Sequence, residues 1–194
     1  GDPLSPDLVA LDGPTRVARF RPRDSEGTEH QVEQPFDLLH VTPHQTAPDF
    51  IRESPLANDD GWVDVDRGTT RHNRFGNVFA LGDASSLPTS KTAAAVRKQA
   101  PVTARNVTAF LGNEPLAAQY DGYTSCPLVT AYGKVMLAEF IYDGVVTPTL
   151  PLDPFSESRF YWFVKKYMLP SFYWRHMLRG REPDIRHKPL KASA

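Results

Sequence analysis

Cysteine is nearly absent from this chain of 194 residues, which carries one, Cys126. That excludes an intrachain disulfide and any all-cysteine metal site within the chain, and a disulfide would need a thiol from elsewhere. Long apolar runs are missing too. No stretch approaches the roughly 18 to 20 residues of a transmembrane helix. The opening "GDPLSPDLVALDG" has no basic segment followed by an apolar one, so membrane contact is expected to be peripheral. Neither sign of charge dominates: 22 basic residues face 23 acidic ones, for a formal net charge of −1. Such a balance gives no general attraction to nucleic acid, which is set aside as a partner. Glycine is sparse at 12 residues and proline abundant at 18, which predicts rigid turns rather than flexible linkers. There is no start methionine, and the chain reads as a piece cut from something longer.

What is present suits one sizeable core or part of one, with 40% hydrophobic and 23% charged residues. "DLVAL", "TRVARFRP" and "FDLLHVTP" read as hairpin strands feeding a buried strand that ends at Pro43. A short helical turn is expected at 49–53. "WVDV" and "NVFAL" read as two more strands, the second apolar enough to be buried on both faces. A long helix is expected over 90–111, with Ser and Thr at its start, Gly112 at its stop and a kink or interruption at Pro101. Residues 123–130 and 132–142 alternate as two strands joined near "TAYGK". The tail over 155–180 is the most aromatic part of the chain, with Pro170 dividing it into two short helical segments.

Two features bear on function. "NVFALGD" delivers Gly82 and Asp83 at the carboxyl end of a strand, where open α/β sheets bind ligands. By itself a Gly-Asp pair after a strand is an ordinary turn. A helix N-terminus near Thr89 to Thr92 adds unpaired N–H groups and partial positive charge, suited to an electron-rich ring edge or a phosphate. The second feature is Cys126, whose bland reading is a small buried hydrophobe.

The blocks "DLLHVTP", "GWVDVD", "NVFALGDASSLPTSKTAAAV", "YDGYTSCPLVT" and "MLAEFIYDG" resemble, in order, those of the sulfide:quinone oxidoreductases of mitochondria and related bacteria, over about residues 7–180. The resemblance implies an α/β fold, the C-terminal portion of a flavoprotein with two dinucleotide-binding domains for FAD and NAD(P), ending in amphipathic helices. It implies that 1–75 closes the second nucleotide-binding-like domain and returns to the FAD domain. Residues 76–112 would give the closing strand and helix of the FAD domain, 113–154 the C-terminal strands with the redox cysteine, and 155–194 the membrane-associating helices and tail. Asp83 then matches the contact to the FAD ribityl chain, and Gly82 permits close approach. Lys91 and Thr92 sit at the helix opening toward the pyrimidine end of the flavin, and a solvated side chain is the plain alternative for Lys91. Pro43 and His44 fall in the loop packed near the flavin, where the family carries an apolar residue at the position of His44.

Cys126 matches the family's redox cysteine in "TSCPLVT". The implied chemistry is attack of sulfide on a cysteine pair, leaving a persulfide, with electrons passing through FAD to a membrane quinone; thiolate, not thiol, is the nucleophile. The sulfur acceptor is left open, and no metal is implied. The aromatic and basic tail suits helices lying in one leaflet, with aromatics over 155–174 near quinone; a core-packing or dimer-forming helix pair is the alternative. The chain departs from the family pattern in lacking a GxGxxG motif, an acidic residue for the adenosine ribose and a second cysteine. After Asp83 it has Ala84, Ser85 and Ser86 where the family includes a cysteine. The missing N-terminal half with the second cysteine is thus an implied partner, and the chain alone is expected neither to retain FAD nor to turn over. Two rival readings stay open: an NADH:quinone oxidoreductase without cysteine chemistry, and a non-catalytic membrane-associated module that lacks its cofactor half.

Overall fold

The computed structural model describes residues 7–22, 27–42 and 45–181, and the chain divides into two units, 1–45 and 46–194. Pro43 and His44 lie outside the described residues. The first unit is a three-stranded antiparallel meander, β1 (Asp7–Asp12), β2 (Val17–Arg21) and β3 (Val32–Pro35) in that order. A bulge at Val9 shifts the register between Leu8 and Ala10. The Asp12 carboxylate closes the first hairpin by accepting the Thr15 N–H at 3.1 Å. Across the second pair, Arg19 faces Glu33 in register and donates to it at 2.8 Å. "FDLLHVTP" is not the buried strand that its apolar residues predict. The third strand comes earlier, and Leu38 is 92% exposed, so the run has no apolar face to cover it.

The second unit begins with the helical turn α1 (Asp49–Arg52), as expected. Its core gathers Ala47, Ile51, Val63, Val65, Leu87, Tyr120 and Tyr123. "WVDV" and "NVFAL" form no ladder. They contribute isolated bridges, Ala57 to Val63, Val63 to Ser85, Val65 to His72 and Arg71 to Phe79. An apolar run needs neighbouring strands on both sides to become a central strand, and among the described residues "NVFAL" has only the short pairing with 70–72 on one side.

The helix α2 (Ala93–Leu111) runs unbroken through Pro101. It stops at Gly112, the residue expected, which caps it with a negative φ, and Asn113 after it takes the left-handed conformation at φ 54°, a position that asparagine tolerates. The buried face of α2 is Ala95, Gln99, Thr103 and Asn106, a helical spacing of mostly polar residues. Each polar member is bonded. Gln99 accepts the Gly82 N–H at 2.7 Å and Thr103 meets the Thr70 hydroxyl at 2.7 Å. Asn106 donates to the carbonyls of Thr69 and Ala118 at 2.9 Å each and accepts the Ala118 N–H at 3.2 Å.

The expected hairpin follows as β4 (Thr124–Ala131) and β5 (Lys134–Phe140), antiparallel, with Cys126 opposite Ala138 and Ser125 opposite Glu139. Against β5 packs α3 (Arg159–Phe163), capped by Ser158, whose hydroxyl accepts the N–H groups of Phe160 and Tyr161. The break expected at Pro170 does not occur. A π-helical turn, Val164–Met168, leads directly into α4 (Leu169–Arg175), where Pro170 sits in the first turn and its missing N–H costs least.

Gly122, just before β4, has φ +88°, and a Cβ there would fall 2.3 Å from Tyr142 Cγ and 2.6 Å from its backbone N. Both the conformation and the space require glycine. Gly122→Ala is expected to destabilise the chain by about 3 kcal/mol, read as a lowered urea midpoint at unchanged m-value.

Candidate cofactor and thiol site

The turn after "NVFAL" is a 3-10 turn over Gly82–Ala84. Gly82 adopts φ +65°, and a side chain there would press on Val96 Cγ2 at 3.2 Å. The turn is tied down by Ser85, buried, whose hydroxyl donates to the Gly82 carbonyl at 2.9 Å. Asp83, within this turn, is exposed, and among the described residues no hydrogen bond engages its carboxylate.

Thr92 caps α2: its hydroxyl accepts the Ala95 N–H at 3.1 Å and lies 2.9 Å from the Thr124 hydroxyl. One residue thus satisfies the helix end and fastens it to the start of β4. A second tie runs from the Thr89 hydroxyl to the Gly122 carbonyl at 2.9 Å. Side chains alternate along a strand, so Cys126 shares the face of Thr124 about 7 Å farther along. Cys126 itself is half-buried and a free thiol. A shallow crease lined by Gly82, Thr89, Lys91, Thr92, Val96 and Gln99 among others runs along the helix end.

Lys91 acts as a strut. Its ammonium donates to the carbonyls of Asp83 at 3.0 Å and Ser85 at 2.7 Å, and sits 3.8 Å from the centre of the Trp62 ring. Burial depresses its pKa, and the nearby Asp83 charge opposes that shift. The structure therefore gathers Gly82, Asp83, Lys91 and Thr92 around one helix end and brings the Cys126 strand to it through Thr124. Sequence reasoning missed Gln99, Trp62 and Thr124. Gln99 repeats at seven residues from Thr92, but a polar residue at such spacing ordinarily signals a solvated face.

Three curated relatives carry the same description, mitochondrial sulfide:quinone oxidoreductase. The Mus musculus protein is 43% identical over 174 residues, the Dictyostelium discoideum protein 44% over 176 and the Schizosaccharomyces pombe protein 42% over 179, each match covering 90% of this chain. This chain is similar to the sulfide:quinone oxidoreductases. It spans 38% of the length of those relatives. No family model matches it. Among solved structures, it is similar to a chain in the cryo-EM structure of the Tetrahymena thermophila mitochondrial ATP synthase F1Fo composite tetramer, with TM-score 0.73 and 25% identity over 91% of this chain and 42% of that one. No helix among its described residues is long and apolar enough to cross a membrane.

Two tests follow from the site. Gln99→Leu leaves the Gly82 N–H without its partner and is expected to cost about 1 to 3 kcal/mol, with faster hydrogen exchange at the Gly82 amide. Burial pushes the phenols of Tyr120 and Tyr123 up to about 12 from 10.0. The unfolded chain loses these protons first, so the stability tied to them is complete below pH 10.0 and is lost as pH rises toward about 12. The urea midpoint should fall as pH rises from 10.0 toward about 12, and less in Tyr120→Phe.

Proposed function

We propose that this chain is the C-terminal part of a flavin-dependent sulfide:quinone oxidoreductase, with Cys126 as one of two redox cysteines and Asp83 as the main contact to FAD. The observation that carries the reading is the Thr92–Thr124 hydrogen bond, which sets the face of β4 that bears Cys126 against the helix end beside Gly82 and Asp83. The residues present fit FAD. Asp83 offers an uncommitted carboxylate to a ribityl hydroxyl, and Gly82 removes the side chain that would block the approach. The amide groups of Ala93 and Ala94, in the first turn of α2 beyond the Thr92 cap, would suit an electron-rich ring edge. Lys91 holds the turn that carries Asp83 rather than reaching outward. Pro43, outside the described residues, stays a candidate on the flavin-side loop.

FAD held there would supply a two-electron acceptor for sulfur and a donor for quinone. The residues of this chain handle the sulfur. Hydrosulfide attacks a sulfur bond between Cys126 and a cysteine outside this chain; the S–S bond breaks, one cysteine becomes a persulfide and the other leaves as a thiolate. The tail supports a peripheral, monotopic membrane seat. Phe155, Phe160, Phe163, Tyr167, Tyr173 and Trp174 are exposed on it, with Lys165 and Arg175 among its basic residues. Aromatic and basic residues together suit the headgroup layer and a quinone entry.

A second reading is favoured by the likeness to a chain of an ATP synthase assembly: a non-catalytic membrane-associated module in which the fold persists without turnover. One experiment separates them. In the full-length protein loaded with FAD, Cys126→Ala is expected to abolish sulfide-dependent quinone reduction while flavin absorbance remains, and Asp83→Ala to release flavin. Full activity in Cys126→Ala contradicts the redox role, and absence of flavin from the native protein selects the second reading.

A further inference from the structure

Glu139, on β5, is 1% exposed and lies outside the site described so far. Its carboxylate collects three donors. The Tyr123 hydroxyl donates to Oε1 at 2.6 Å, the Thr149 N–H donates to Oε2 at 2.9 Å, and the Thr149 hydroxyl also donates to Oε1. Its own carbonyl accepts the Thr147 N–H at 3.0 Å. No ion pair reaches Glu139 among the described residues. A carboxylate buried without a cation is costly unless several donors converge on it. An amide, its oxygen turned to the Thr149 N–H and its NH2 to the two hydroxyls, can meet the same groups, so an apolar side chain is what removes the clasp.

The placement of these bonds gives them a consequence for the thiol. Tyr123 stands three residues before Cys126, and its carbonyl is itself held by the Tyr120 hydroxyl at 2.6 Å. Glu139 lies opposite Ser125, next to the pair formed by Cys126 and Ala138. Alternation turns Glu139 to the face of the hairpin away from Cys126, so the carboxylate braces the strand from behind. On α3, Tyr161 is 2% exposed and its hydroxyl has no hydrogen-bond partner among the described residues. Burial first, and the charge of Glu139 second, raise the pKa of that phenol, which places it within the field of the same carboxylate.

We propose, on the reading of Cys126 as the redox thiol, that Glu139 is a positioning residue for Cys126, fastening the root of β4 to the segment after β5 beneath the tail helix. The geometry makes Tyr123 and Thr149 its two clasps. Loss of the carboxylate frees the strand root and lets the thiol wander from the geometry its chemistry needs.

The test uses the full-length flavin-loaded protein with Glu139→Leu, Tyr123→Phe and Thr149→Val. Alkylation of Cys126 by iodoacetamide, in samples whose sulfur bridge has first been reduced and the reductant removed under argon, is followed by mass spectrometry of its peptide, alongside circular dichroism and thermal unfolding. In Glu139→Leu we expect alkylation to quicken about threefold or more, and sulfide-driven flavin reduction, read on oxidised samples, to slow about tenfold or more. Reoxidation by a soluble quinone after dithionite reduction should stay within about twofold. A folded Glu139→Leu protein with the alkylation rate of the unsubstituted protein overturns the proposal, as does an equal fall in both half-reactions. If Glu139→Leu does not fold, Tyr123→Phe and Thr149→Val carry the same readouts with smaller expected changes. Failure of sulfide to reduce the unsubstituted protein sinks the functional reading instead, and the alkylation rates still decide the clasp.

Discussion

The polar face of α2 is the constraint on which the second unit depends. Residues 63–85 cross the protein as single bridges rather than as a ladder, so their backbone groups need partners from elsewhere. Gln99 and Asn106 supply two of them from one helix face, at the Gly82 N–H and the Thr69 carbonyl, and Thr103 beside them meets the Thr70 hydroxyl. Thr70 is a non-glycine residue held at φ 63° and fully buried, a conformation that persists because the Thr103 hydroxyl and neighbouring backbone bonds fix it. An apolar helix face in the same place would leave those groups unpaired, at about 1 to 3 kcal/mol each.

That seam also decides where the Gly-Asp turn stands relative to the helix end. Gln99 holds the Gly82 amide seventeen residues away in sequence, and Lys91 grips the carbonyls of Asp83 and Ser85 from the other side. The turn is therefore clamped before any ligand arrives, and the exposed carboxylate of Asp83 rides on a fixed base. β4 is registered to the same helix end through Thr92 and Thr124 and braced from its far face by Glu139. A preformed arrangement of this kind reduces the ordering that binding would otherwise require.

Much of this was legible in the sequence. The long helix, the hairpin around "TAYGK", the helical turn at 49–52 and the glycine turn before Asp83 all follow from local patterns of periodicity and capping. The failures have a common cause. "NVFAL" and "FDLLHVTP" have the composition of buried strands, yet strand formation requires partners that local sequence does not reveal. Under the proposed reading those partners belong to the remainder of a longer protein, of which this chain matches 38% of the relatives' length. Gln99, Asn106 and Glu139 were invisible for the complementary reason. A polar residue looks solvated in sequence until the groups that satisfy it are placed around it. Cys126 was noticed only because it is alone, and its role was drawn from the resemblance of "TSCPLVT", since neither exposure nor spacing distinguishes it from a packing residue.

The central claim concerns the sulfur of Cys126. Non-reducing mass spectrometry of the full-length protein, before and after a brief exposure to sulfide and rapid acid quench, reads the state of that atom directly. The account predicts a Cys126 peptide disulfide-linked or sulfur-bridged to a second cysteine peptide beforehand, and peptides bearing an added sulfur or a released thiol afterwards. Recovery of Cys126 only as an unmodified thiol in both samples contradicts it.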